Sequence, residues 1–496
     1  MADKLVILLY LLVMVVAGYV GMRRSRTSED FAIAGRRLGP FMYTSAMSTV
    51  VLGAASTVGG VSLGYQYGVS GMVLVLALAL GIAAIGVCFA GKLFRSGVFT
   101  VPDALGRRFG ARSRVLSSAV VVFYTLMVGV GQIIAIGTVL TVVFDVSATT
   151  AAFIGWATIM LYSVAGGMWS ITLTDVVQFL VKTVGILCLM LPLALREAGG
   201  LGRMREALPD GFFSPTGIGV GTIWAYFLLF FFGFMIDQGN WQRLLTARSE
   251  RVARWGAVAS GAYCALYGLA GALIGTAARV SLPELANPDD AYARVAALVL
   301  PVGLFGVVIA AALAASMSTA SGLLIGASTV LTNDVLRPLG GARRGGVRAD
   351  RVALFAVGLV ALGLSFALDS VVGAVTVAAD VLAAALLIPV VGAMFWKRST
   401  TAGALAGMLA GTVVCVVMMV RAGLYANEPV SWGMVACLVV FVAVSLVTRP
   451  DPRTGPLDFE ELPALAEAAD PAAPRVPAQA PAGDDDGAPV SSPRRA

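Results

Sequence analysis

The chain has 496 residues, is 58% hydrophobic and only 13% charged, and has a mean hydropathy of +0.88. A soluble domain of that composition could not cover itself in polar surface, so the chain is a polytopic membrane protein. The net charge of +7 comes with no histidine, which removes the commonest metal ligand and the usual general base and argues against metal hydrolysis and Ser-His chemistry.

A spanning helix needs about 20 apolar residues. Stretches of that kind follow one another near 4–22, 41–64, 70–91, 115–143, 149–168, 173–195, 220–241, 255–278, 300–331, 352–370, 373–396, 402–420 and 432–448, about thirteen in all. Continuous Leu/Val/Ala runs exclude the short alternating strands of a β-barrel. The first run, LVILLYLLVMVVAGYVG, has no basic region before it and no small-residue cleavage site, and RRSR follows it. It therefore reads as a retained helix rather than a signal peptide. Cys88, Cys188, Cys264, Cys415 and Cys437 fall singly in these spans, as buried small hydrophobes would. The charge-free run 295–332 is too long for one crossing, and Pro301 with Gly303 divides it into a short outer segment and the span proper. The expected transmembrane domain is 1–448. From 449 to 496 the sequence turns rich in Pro, Ala and Asp, a disordered tail with a short helix conceivable at 457–469.

Basic residues alternate between loops. One set holds Arg23, Arg24, Arg26, Arg36 and Arg37, then Lys92 to Arg114, Arg243 to Arg254, Arg337 to Arg351, and Lys397 with Arg398. The other holds far fewer, such as Lys4, Arg196 and Arg279. The positive-inside rule then puts the N-terminus outside and the C-terminus in the cytoplasm, as an odd number of spans requires. The basic balance reports topology and gives no reason to expect nucleic-acid binding.

Two stretches crowd small and hydroxyl-bearing residues into hydrocarbon. FMYTSAMSTVVLGAASTVGGVSLGYQYG (41–68) allows close helix packing, and equally a helix break that turns backbone carbonyls toward a ligand. AASMSTASGLLIGAS (314–328) carries Ser316, Ser318, Thr319 and Ser321, more than back-bonding to the preceding turn accounts for. A hard cation wants several neutral or anionic oxygens at once. Hydroxyls here, with carbonyls from a broken helix, supply that shell without a permanent charge. Lys182 lies seven residues beyond Asp175, on nearly the same helical face and about 10 Å deeper. If it faces lipid it snorkels; if it faces the core it pairs with Asp175 or crowds a cation site. Among the other acids, Asp237 is expected near water at the cytoplasmic end of a broken helix, Asp369 at an outer turn, and Asp380 deepest of the three.

Several motifs resemble the sodium:solute symporter family. WKRSTTAGALAG (396–407) fits one family signature and AGGMWSITLTDVVQ (165–178) the other. GGVSLGYQYG, VPDALGRRFG, WQRLLTARSERVARWG and SMSTAS fit further stretches in the expected order, from roughly residue 30 to 410. The resemblance implies an all-α fold whose core, about 41–396, is a five-plus-five inverted repeat of the leucine-transporter kind with discontinuous helices. One helix precedes that core and two follow it, at 402–448.

It also implies a sodium site on the carbonyls of Thr49, Leu52 and Ala315 with the side chains of Ser318 and Thr319. A second cation site in some members would use Asp175 and Ser321, but Gly322 stands where those members carry another serine. The solute would lie near Gly53, Ala54, Ser56 and Thr57 and around Phe230, Gly233 and Asp237, with Gln132 contributing.

The activity so implied is sodium-coupled uptake of a small organic solute by alternating access, with sodium as the coupling ion, the lipid bilayer as surroundings and a monomer as the working unit. An amine can take the ion's place in sodium-independent transporters of this fold. Proton coupling or sodium independence through Lys182 therefore stays open as the alternative. A transporter-like sensor would need an output domain that the tail does not offer, and an enzyme a reactive cluster that is not visible. The solute's identity is not legible.

Overall fold

The structure is a computed structural model describing residues 1–340, 346–367, 371–424, 426 and 428–449. Asp369 and nearly all of the tail lie outside the described residues. Among the described residues the chain is helical and forms no strand; a single isolated bridge joins Leu38 to Ala247.

The principal helices are α1 (Ala2–Met22), α2 (Pro40–Val51), α3 (Ala54–Tyr67), α4 (Val73–Cys88), α5 (Ala111–Phe144) and α6 (Ala148–Lys182). The axis of α6 continues through a π-helical stretch to Glu197. There follow α7 (Val220–Met235), α8 (Gln238–Leu244), α9 (Glu250–Ser281), α10 (Ala291–Val299) and α11 (Leu304–Val330). The last are α12 (Val347–Ser365), α13 (Val371–Phe395), α14 (Thr401–Ala422) and α15 (Glu428–Val447).

Among the described residues nine helices are long and apolar enough to cross a membrane, or ten if the bent pair α7–α8, at 46°, counts as one. Thirteen is not reached by that measure. Some long helices hold more than one expected stretch: Ala148–Glu197 spans 50 residues and covers both 149–168 and 173–195. The backbone turns at Gly167 (φ 56°, ψ −136°), at the end of the first of these stretches, where a Cβ would run into Phe31. Only glycine fits there.

The charge-free run divides where the sequence places the division. α10 ends at Val299, Pro301 and Gly303 (φ 95°) follow, and α11 starts at Leu304. α11 is the axis of the molecule: from Val308 to Val330 every residue is buried except Thr319, which is half-buried. Its composition of Ala, Gly and Ser explains this, because small residues let neighbouring backbones close in from all sides.

α1 lies against α6 in the same way. Gly18 and Gly21 meet Tyr162 and Ser170, and the Ser170 hydroxyl donates to the Gly18 carbonyl at 2.6 Å. Its other face exposes Leu5, Leu8, Leu9 and Leu12, as a lipid-facing surface should. Two cysteines depart from expectation: Cys264, Cys415 and Cys437 are buried, but Cys88 and Cys188 lie on the outer surface. A thiol is apolar enough to face lipid, so an apolar span does not say which of its residues point inward.

On the side that carries the basic loops, the short helix Val101–Phe109 is held by polar contacts. The Thr100 hydroxyl donates to Asp334 at 2.6 Å, Asp103 pairs with Arg107 at 2.9 Å and with Arg114, and Val101 N–H donates to the Gln238 side chain at 2.9 Å. These bonds join the loop after α4 to α8 and to the end of α11.

Candidate functional site

Two helices break near the middle of the molecule. Between α2 and α3 the chain leaves helical geometry at Leu52 (φ −85°, ψ 66°) and Gly53 (φ −80°, ψ −165°). A break strips the last carbonyls of α2 of their intrahelical donors, and buried backbone groups must find others. Each of these does. The Thr49 carbonyl accepts from the Lys182 amine (2.9 Å) and the Ser318 hydroxyl (3.0 Å). Val50 accepts from Thr319 (2.9 Å) and Val51 from Ser56 (3.0 Å). Leu52 accepts from Lys182 (3.2 Å). On the other side of the break, Ala54 N–H donates to the Gln132 side chain at 3.2 Å. Gly53 is required by close approach: a Cβ would stand 2.8 Å from Thr319 Oγ1 and 3.2 Å from Gln132 Oε1.

The second break separates α7 from α8. Asp237 caps α8, its carboxylate accepting from Asn240 N–H at 2.8 Å. This corrects the expectation of a water-exposed Asp237, because the residue is buried, 3% exposed. A cap carboxylate sits where the backbone turns, and here the turn is inside the bundle.

Both breaks face one cavity of about 740 Å³, counting its open mouth. Its walls include Gly53, Ser56, Gln132, Phe230, Gly233 and Asp237, expected from sequence around the solute, and Thr319, expected instead as a sodium ligand. Ala54 and Thr57 lie behind that wall, Ala54 held by Gln132 and Thr57 bonded to the Tyr267 hydroxyl at 3.0 Å. Tyr124, Asn240 and the α13 residues Val375, Ala379 and Leu382 line it too and were not anticipated. Phenol and carboxamide groups are common in apolar helices, and their convergence is a tertiary fact.

The expected cation ligands also meet. Thr49, Leu52 and Ser318 direct oxygens at one point, and that point is occupied by Lys182 Nζ, 3.4 Å from the Ser318 hydroxyl. The Ala315 carbonyl is taken by two hydroxyls of its own helix, Ser318 at 2.9 Å and Thr319 at 3.2 Å. Lys182 is only 1% exposed, so it neither snorkels nor faces lipid. No ion pair joins it to Asp175 among the described residues. Asp175 pairs instead with Arg243, whose Nη2 and Nε lie 3.0 and 3.3 Å from one carboxylate oxygen.

Arg243, counted from sequence among the loop cations, is 1% exposed and inside the bundle. A Cβ at Gly322 would overlap its guanidinium, so the missing side chain at 322 is what admits it. Ser321 turns back to the Ser318 carbonyl at 3.1 Å. Asp380 is buried, as its depth suggested, and one of its carboxylate oxygens has no partner among the described residues.

A sequence model of the Sodium:solute symporter family matches residues 31–411, more than half of the chain. The chain belongs to that family. Among its relatives are the high-affinity proline transporter PutP of Bacillus subtilis (strain 168), 26% identical over 88% of this chain and 96% of the relative, and the sodium/pantothenate symporter of Escherichia coli (strain K12), 24% identical over 82% and 89%. A solved Na+-coupled sialic acid symporter in a substrate-bound, outward-open state superposes with a TM-score of 0.78 at 18% identity, over 91% of this chain and 98% of that one. At that identity the likeness shows the fold, an all-helical, leucine-transporter-like inverted repeat with discontinuous helices. Family and fold make this sodium:solute symporter family member a multi-pass membrane transporter.

Proposed function

We propose that the protein is a secondary active transporter that carries a small organic solute into the cell by alternating access, driven by a cation gradient. The carrying observation is the convergence of α2–α3, α6 and α11 on a single cationic position directly behind the wall of the cavity. Discontinuous helices with freed backbone groups at mid-membrane are the mark of such sites. Occupancy of the cationic position fixes the break in α2–α3, the break shapes the cavity, and site and solute are thereby coupled energetically.

Sodium as the driving ion is supported by the family and by relatives named for sodium symport. The oxygens of Thr49, Leu52, Ala315, Ser318 and Thr319 are of the kind a hard cation takes, with Asp175 and Ser321 as a second group. The hydrogen bonds of Lys182 favour a second reading, in which the amine stands in that place and the drive is a proton gradient or the solute's own.

The solute would lie against Gly53, Ser56, Gln132, Phe230, Gly233 and Asp237, with Ala54 and Thr57 supporting the wall. Residues 1–448 form the transport domain and 449–496 a cytoplasmic tail. The N-terminus is outside, and the working unit is a monomer in the cell membrane.

The test is accumulation of radiolabelled candidate solutes (proline, pantothenate, monocarboxylates, sugars) in vesicles holding the purified protein, under an imposed sodium or pH gradient. Uptake against concentration is expected with one gradient. Equilibration without accumulation would mean a passive pore.

A further inference from the structure

Sodium does not fit the cation positions as this chain builds them. Resting on the second transporter reading above, in which the amine takes the ion's place, we infer that two of the protein's own side chains, Lys182 and Arg243, permanently hold the places an ion would take, and that neither place binds sodium.

At the first position the donor set decides. An ammonium group has three N–H donors and no acceptor. Lys182 Nζ has three oxygens around it: Thr49 O at 2.9 Å, Leu52 O at 3.2 Å and Ser318 Oγ at 3.4 Å. Donors and acceptors therefore match one to one. These are also the oxygens that a metal ion would need, and the amine lies between them. Its burial at 1% leaves it no water-filled place to withdraw to in this arrangement. Two of the three partners are carbonyls released by the break in α2–α3. The lysine thus ties α6 to the broken helix, as a bound ion would, without entering or leaving.

At the second position the same substitution is made by different means. Asp175, seven residues before Lys182 on the same helix, offers a buried carboxylate, and the Arg243 guanidinium already takes one of its oxygens at 3.0 and 3.3 Å. The guanidinium fills the volume beside Gly322 that a side chain would otherwise claim. Ser321, the remaining hydroxyl there, is committed to the Ser318 carbonyl. A cation entering this place would meet a fixed positive charge already paired with the carboxylate. The two replacements are independent in sequence and in mechanism, yet both put a covalently attached cation where an exchangeable one would sit.

The experiment reads ion binding directly. The purified full-length protein is equilibrated with radioactive sodium, and its melting temperature is compared in sodium and potassium chloride at equal ionic strength. For the wild type, no saturable sodium binding and no difference between the two salts are expected. Lys182→Ala, which removes the amine and leaves its three oxygens in place, is expected to gain saturable binding and a sodium-specific rise in melting temperature, because a ligand of the folded state stabilises it in proportion to occupancy. Should that variant not fold, Lys182→Ser serves, with the same expectation.

Saturable sodium binding by the wild type, abolished by Ser318→Ala, overturns the inference. So does a folded Lys182→Ala or Lys182→Ser protein that binds no sodium, since its oxygens would then form no ion site. A failure of solute accumulation would overturn the transporter reading and leave this result as it stands, because the measurement involves no solute.

Discussion

At the scale of single residues, the buried charges set the cost of change. Asp175 and Arg243 are 0% and 1% exposed and hold each other. Removing one partner leaves the other charged and alone in a low-dielectric interior, which costs about 3–5 kcal/mol, whereas an apolar pair of similar volume is often tolerated. Asp175→Asn should therefore lower the melting temperature far more than the double variant Asp175→Leu/Arg243→Met. Equal losses would mean that the pair carries no such penalty.

Gly322 makes a separate prediction. Any Cβ there overlaps the guanidinium, so Gly322→Ser should destabilise by about 1–3 kcal/mol, the usual range for overpacking. A thermal melt that matches the wild type would show that Arg243 can move aside freely.

At the scale of elements, the break in α2–α3 is stable because each freed carbonyl finds a side-chain donor from a different helix or from the next turn. Ser56 serves Val51 and Thr319 serves Val50. Truncating either donor strands a buried acceptor, at about 1–3 kcal/mol. Ser56→Ala is expected to lower thermal stability by that amount, and Ser56→Thr, which restores the hydroxyl, to recover most of it. Thr319→Ala should also weaken solute affinity, visible as a raised KM for uptake with expression unchanged, because Thr319 forms part of the cavity wall.

Glycine and hydroxyl density at 41–68 left close packing and a break equally open, whereas the division at Pro301 and Gly303 was legible from backbone chemistry alone. The partners were not legible. Nothing near Val50 in sequence points to Thr319, which is 269 residues away.

At the scale of the whole molecule, orientation follows from charge. The orientation proposed above, with residue 2 outside and the tail inside, puts the loops rich in arginine in the cytoplasm, as the positive-inside rule expects. In a background freed of Cys88 and Cys188, both exposed, a cysteine at Ala2 should react with a membrane-impermeant maleimide in intact cells. One at Ser492 should react only after permeabilisation. The reverse pattern would invert the topology.

Legible from sequence were the class of molecule, the run of apolar helices, the division at Pro301 and Gly303 and many of the polar residues that meet at mid-membrane. Those features depend on composition and on local backbone chemistry, which act within a few residues. What meets what was set by packing between distant helices. Lys182 turned inward onto Thr49 and Leu52, and Arg243 left the set of loop cations for Asp175. Asp237 went into the interior, and Cys88 and Cys188 faced outward. The reason is that an apolar span looks the same from sequence whether its neighbour is lipid or protein. Which face is buried is set by packing against helices a hundred or more residues away.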